Sequence, residues 1–195
     1  MQSVDQHSSN HEFNVSGLGA ATPSDIVIEE MQPAMDGRQL SEAIKRSVAD
    51  YREAGTVLAS TFRRLEHFET VYTTSGSLFI VARDRVSGRC VGGAGIGPLQ
   101  GLSPGEGLGE IRDLYVEPLF RGHGIGSRLL KRCLTEAQSI GYQRLYLETT
   151  PQMEHAQKLF IRSGFRPVTT GQARLGQGSD MPCYYLLENV TSLNF

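Results

Sequence analysis

Apolar and polar positions alternate along residues 25–31, the period of a strand that buries one face, and residues 77–82 and 90–97 read as two further strands. Leu40, Ile44, Val48 and Tyr51 instead recur at helical spacing, and Asp36 with Gln39 predicts a capping box at the start of that helix. After Gly55, Leu58, Phe62 and Leu65 repeat the spacing and predict a second helix over residues 56–68. It reads as a wall over a sheet, or alternatively as one side of a substrate pocket. Ser87 and Gly88 supply turn chemistry for a hairpin between the second and third strands. Residues 110–116 then read as a strand, and Leu129, Leu130, Cys133, Leu134 and Ala137 as one face of a helix. Residues 144–149 alternate as another strand, and Pro151 takes the first position of the helix that carries residues 156–165. The predicted order is strand, two helices, three strands, helix, strand, helix, two strands, an α/β (mixed α+β) fold whose outer strands lie within residues 25–35 and 182–190.

A chain of 195 residues with 39% hydrophobic side chains supplies one sizeable core, hence one domain. That domain is expected over residues 25–195. Residues 1–24, rich in Ser, Asn, His, Gln and Gly, bury too little apolar surface to offset their ordering entropy and predict a mobile N-terminal arm. A net charge of −2 argues against nucleic acid or an anionic membrane as partner. No apolar run approaches the ~18 residues of a membrane span and no signal core opens the chain, so a cytoplasmic location is expected. Cys90, Cys133 and Cys183 lack Cys-x-x-Cys spacing and read as reduced thiols at apolar positions. His7, His11 and His67 lack ligand-type neighbours, so no metal is expected.

The densest chemical signal is Arg121-Gly122-His123-Gly124-Ile125-Gly126, between the strand that ends at Val116 and an amphipathic helix. Glycines at alternate positions let consecutive N–H groups converge, and the helix start adds unpaired donors and the positive end of its dipole. Such a cradle suits a pyrophosphate. Ser127 stands where a dinucleotide fingerprint needs its third glycine, and no Gly-Lys-Ser/Thr follows, so both common nucleotide loops are disfavoured. The glycines at 93, 95 and 97 precede Pro98 and a loop instead of a helix, which favours close packing of a glycine-rich strand. The loop over residues 98–109 is a surface loop or the rim of a substrate mouth.

The order Arg121-x-x-Gly124-x-Gly126 directly before a helix resembles the acetyl-CoA loop of the GNAT superfamily of N-acetyltransferases. Ala156, Leu159, Phe160, Gly164 and Phe165 resemble the family's next helix, in the right order. The resemblance implies a central mixed, mostly antiparallel sheet, splayed at the acetyl-CoA site and flanked by helices. It implies acetyl-CoA as cosubstrate, and a small-molecule amine or a peptide or protein amine as acceptor. The chain would be a monomer or a homodimer, the latter by edge pairing of the last strand. Arg121, Gly122, His123, Gly124, Ile125, Gly126 and Ser127 would hold the phosphates, with Leu114, Tyr115 and Val116 along the pantetheine arm. The main-chain N–H at Val116 would polarise the thioester carbonyl.

The place of Glu110, six residues before Val116 on the strand that leads to the loop, resembles that of the general-base glutamate in histone-type members of the superfamily. Strand alternation puts Glu110, Arg112, Leu114 and Val116 on one face and Asp113 on the other, where it is the least suited to act. Two readings of Glu110 stand side by side: the base that accepts the amine proton, or a carboxylate ion-paired with Arg112. Glu148 is the second candidate base. Phe160 departs from the family's proton-donating tyrosine and Met153 from a frequent asparagine. The general acid is thus open among Tyr115, Tyr146, Tyr184, Tyr185 and water, and the two departures sustain a rival reading as a catalytically weak acyl-CoA-binding or regulatory module.

Overall fold

A computed structural model describes residues 25–49, 55–168 and 182–193. The predicted arm over 1–24, Tyr51 and residues 170–181 lie outside the described residues. The elements run β1 (Ile26–Glu30), α1 (Pro33–Ala49), α2 (Gly55–Glu66), α3 (Phe68–Val71), β2 (Leu78–Asp84), β3 (Cys90–Pro98), β4 (Leu108–Val116), α4 (Ile125–Ile140), β5 (Arg144–Thr149), α5 (Glu154–Arg162), β6 (Arg166–Val168) and β7 (Cys183–Leu187). Among the described residues the one-turn helix α3 and short 3-10 turns at Pro104–Glu106, Pro118–Phe120 and Val190–Ser192 add to the predicted order.

One sheet of seven strands has the order β1-β2-β3-β4-β5-β7-β6, antiparallel except for the β4–β5 pair. A parallel pair needs a long crossover, and α4 supplies it. Its apolar stripe Ile125, Leu129, Leu130, Cys133, Leu134 and Ala137 is buried against the sheet. On the opposite face α1 and α3 cover β2, β3 and β4 through Leu40, Ile44, Phe68, Tyr72 and Phe79. Burial of the two clusters, at about 25 cal/mol per Å² of apolar surface, is what holds the helices to the sheet. The last strand is internal: β7 lies between β5 and β6, so an argument for dimer formation by edge pairing passes to β6 or β1.

The glycines of β3 make room for side chains of neighbouring elements. A Cβ at Gly93 would lie 2.3 Å from the Phe79 ring, at Gly95 2.3 Å from Tyr72, and at Gly97 1.9 Å from the Arg112 guanidinium. Close packing, as the sequence suggested, is the reason for the run.

Two boundaries differ from expectation. Asp36 does not cap α1 from its start but reaches back from inside it, its Oδ2 accepting the Gln32 N–H at 2.9 Å while Pro33 takes the first helical position. Both its oxygens also accept from the Arg83 Nη2 at 2.9 Å, so it ties α1 to β2. Helix α5 begins at Glu154, and Pro151 sits in the turn before it, where Gln157 Nε2 donates to the Thr150 and Pro151 carbonyls.

Candidate active site

Strand β4 builds the site by bulging against one neighbour, β3, and leaving the other, β5. On the β3 side the register passes from Gly95 opposite Arg112 to Gly93 opposite Tyr115, so β4 carries one extra residue there, a bulge at Asp113 and Leu114. On the β5 side parallel pairing covers Leu108 to Ile111 and stops. A cavity of about 80 Å³ opens at this splay and runs through the sheet. Ile44, Thr61 and Tyr115 line it from the α1–α2 face, and Leu147, Met153, Ala156 and Phe160 from the α5 face.

Asp113 forms the bulge at φ 53°, a left-handed conformation that aspartate tolerates better than most residues. Its carboxylate is fully buried. It accepts from Arg64 Nε at 2.9 Å and Arg64 Nη2 at 2.8 Å, from Thr61 Oγ1 at 3.1 Å, and from the Tyr72 hydroxyl. The sequence reading dismissed this residue, and the structure gives it the task of pinning α2 and α3 to the bulge. Strict alternation hid it. The extra residue reverses the faces, so Tyr115 joins the cluster under α1 while Leu114 and Val116 pack toward α4 and α5, away from Glu110 and Arg112. Asp113→Asn keeps the backbone conformation but leaves Arg64 without its counter-charge. It should cost about 2 kcal/mol, the value of hydrogen bonds to a charged group, read as a lower denaturant midpoint at unchanged slope.

Glu110 sits on β4 with its side chain 13% exposed. Burial raises its pKa above the ordinary carboxylate value, opposed by Arg112 and then Arg64, with Asp113 adding to the rise. Its contact with Arg112 is long, Nε to Oε2 3.7 Å, beyond hydrogen-bonding reach, while Arg112 Nη2 donates to the Pro98 carbonyl at 2.9 Å. The carboxylate is therefore electrostatically steadied without being capped. Glu148, on β5 beside the cavity, is also raised, by burial first and by Glu110 second.

Beyond Val116 the chain turns through residues 118–120 into the glycine loop. Arg121 Nε donates to the Val116 carbonyl at 3.0 Å, so the arginine braces the strand end with its remaining nitrogens exposed. Gly122 and Gly124 have φ of 82° and 74°, and a Cβ on either would meet nothing within 4 Å, which leaves an open cradle over the start of α4. Gly126 and Ser127 lie in the first turn of α4, and His123 is exposed, with Nδ1 3.4 Å from the Phe120 carbonyl. Ile125 is 2% exposed and belongs to the core, so only its backbone faces the loop. Val116, next in the strand after the slot-lining Leu114 and Tyr115, links slot and cradle along the chain, and its side chain and that of Leu159 flank Gly126.

Phe160 is 5% exposed, its ring 6.1 Å from Phe165 and 6.2 Å from Tyr185, yet it also lines the cavity. Helix α2 buries Leu65 against the core, as a wall over the sheet requires, and adds Thr61 and Arg64 as polar groups at the site, while Phe62 is exposed. The signal that could have found Arg64 and Tyr72 is absent from local patterns, because both act across more than forty positions of sequence.

Comparison with known proteins agrees with this geometry. The profile of the acetyltransferase (GNAT) family matches residues 43–165. The uncharacterized N-acetyltransferase YjgM of Escherichia coli is 29% identical over 136 residues, covering 68% of this chain and 78% of the relative. An amino-acid acetyltransferase of Mycobacterium tuberculosis is 30% identical over 126 residues, 65% of this chain and 63% of that protein. The structure of yncA, a putative acetyltransferase from Salmonella typhimurium with its cofactor acetyl-CoA, shares the fold at a TM-score of 0.65 and 20% identity, covering 84% of this chain and 94% of that one. The chain belongs to the acetyltransferase (GNAT) family, a family of acyltransferases.

Proposed function

We propose that this protein moves an acetyl group from acetyl-CoA directly to an amine, the observation that carries the reading being the open glycine cradle joined at Val116 to a slot between splayed strands. The cradle fits a pyrophosphate: positive-φ glycines leave its floor bare, and the N–H groups of Ile125, Gly126 and Ser127 in the first turn of α4 have no intrahelical acceptors. Arg121 adds a guanidinium at its rim. Leu114, Tyr115 and Val116 border the pantetheine arm, and a main-chain N–H at the bulged end of β4, Val116 in our assignment, donates to the thioester oxygen as charge develops there.

An alkyl ammonium with pKa of about 10.4 must lose a proton before it can attack. Glu110 accepts it, directly or through water. The amine nitrogen bonds to the acetyl carbon, the carbon–sulfur bond breaks, and the thiolate leaves with a proton supplied by water or a tyrosine. Cys90 and Cys133 are unfit to carry the acetyl group. Both are buried, and burial pushes the Cys90 thiol up to about 11 and the Cys133 thiol higher still.

Thiol release from acetyl-CoA on addition of a panel of amines tests the proposal. Release that depends on the amine supports it, and tight binding without release would leave the acyl-CoA-binding module. Phe160→Tyr probes the acid's seat. Because Phe160 borders the cavity, a hydroxyl there should reach the slot and leave the melting temperature and acetyl-CoA affinity near those of the parent. A loss matching the roughly 1–3 kcal/mol of a buried, unpaired hydroxyl would place the ring's edge against Phe165 and Tyr185 instead.

A further inference from the structure

The face of β5 and β7 beside Glu110 carries a group of side chains that acetyl transfer itself does not require. Glu148 and Tyr184 are direct cross-strand partners and so project from the same face, and Tyr146 precedes Glu148 by one strand period. The Tyr146 and Tyr184 rings stack with centroids 6.0 Å apart and planes 25° apart, half-buried rather than sealed in the core. Glu110 lies opposite Tyr146 across the β4–β5 pair, so two carboxylates and two aromatic rings share this face of the sheet, and Glu148 among them lines the slot.

The charges there do not cancel. Asp113 is spent on Arg64, and Glu110 faces Arg112 at 3.7 Å. Glu148 has no ion pair among the described residues. Among the described residues three carboxylates meet two guanidiniums, which leaves one negative charge on a half-buried surface. Burial and then the neighbouring Glu110 raise the Glu148 carboxyl against the pull of Arg64, and burial and then Glu148 raise the Tyr146 hydroxyl, so these groups sense one another. A half-buried carboxylate flanked by aromatic faces is a receptor for an ammonium group, through ion pairing and cation–π attraction together.

Resting on the N-acetyltransferase reading, we infer that the acceptor is a dicationic amine. One ammonium yields its proton to Glu110 and attacks, and the other stays charged against Glu148 and the Tyr146–Tyr184 rings. An acceptor with an acidic tail would place a second negative charge beside Glu148 and be disfavoured.

Three probes of equal chain length decide it: cadaverine, n-pentylamine and δ-aminovalerate, with kcat/KM measured by thiol release from acetyl-CoA. Cadaverine should exceed pentylamine by roughly tenfold or more, and aminovalerate should be the poorest, since one charge-assisted contact is worth about a factor of ten. Glu148→Gln should bring the cadaverine-to-pentylamine ratio toward one. Tyr184→Leu, which removes a ring and leaves the carboxylates in place, should lower the same ratio if the first variant fails to fold. Pentylamine or aminovalerate used as well as cadaverine, or a ratio unmoved by both variants, overturns the dicationic acceptor while acetyl transfer stands. Absence of thiol release with all three and with other amine classes, in protein that binds acetyl-CoA, overturns the underlying reading as well.

Discussion

Gly124→Asp is expected to fold normally and to lose acetyl-CoA binding. Gly124 is the N-cap of α4 at φ 74°, a conformation that aspartate adopts at modest cost, and its missing Cβ faces open space. A carboxylate at a helix start also interacts favourably with the dipole, so the melting temperature should stay within a few degrees of the parent or rise. The same carboxylate fills the cradle with negative charge at the place assigned to the pyrophosphate. Calorimetry separates the two effects: a stable variant with no detectable heat of acetyl-CoA binding is the expected result, and a stable variant with parental affinity would move the phosphates elsewhere.

Glu110→Gln should lower kcat/KM at neutral pH by roughly 10²-fold or more, the range of general acid–base catalysis. The amide still fits beside Arg112 but accepts no proton. The deficit should shrink as pH approaches the amine's own pKa of about 10.4, where solvent does the deprotonation. In the parent enzyme Glu110 must be ionised to act, and burial places its pKa above the ordinary carboxylate value. Activity should therefore rise with pH through that raised pKa, and the acid limb should vanish in the variant. A variant that melts lower but turns over at the parental rate would make Glu110 a structural partner of Arg112 and pass the search to Glu148.

What the sequence disclosed and what it hid divide along a physical line. Local signals were legible. The α4 stripe, the glycine cradle and the hairpin each depend on residues close in sequence, and the run of glycines in β3 was readable as a packing feature although the rings and guanidinium it accommodates were not. Glu110 was locatable as a candidate because its offset from Val116 and the loop resembles that of a glutamate base in members of the family.

The splay of β4 was implied by the family resemblance, but the place of its bulge at Asp113 and Leu114 was not legible, and it changed the assignment of faces along β4. Asp113 at positive φ is a weak sequence signal, since aspartate adopts that conformation only occasionally. Its partners Thr61, Arg64 and Tyr72 come from α2 and from the turn after α3, and no local period joins them to β4. The position of β7 inside the sheet was likewise a matter of tertiary pairing, and it removed the last strand as an exposed edge. Residues that hold the site in shape were thus harder to read than residues that face it.

The central claim is direct transfer from acetyl-CoA to the amine with both held at once. Initial velocities measured over a grid of acetyl-CoA and amine concentrations test it most directly. Double-reciprocal lines that intersect are the predicted result, because direct transfer in the proposed slot between β4 and β5 requires thioester and amine together, and the buried, weakly acidic Cys90 and Cys133 are unsuited to hold an acetyl group. Parallel lines, with a covalently acetylated protein isolated in the absence of amine, would contradict it.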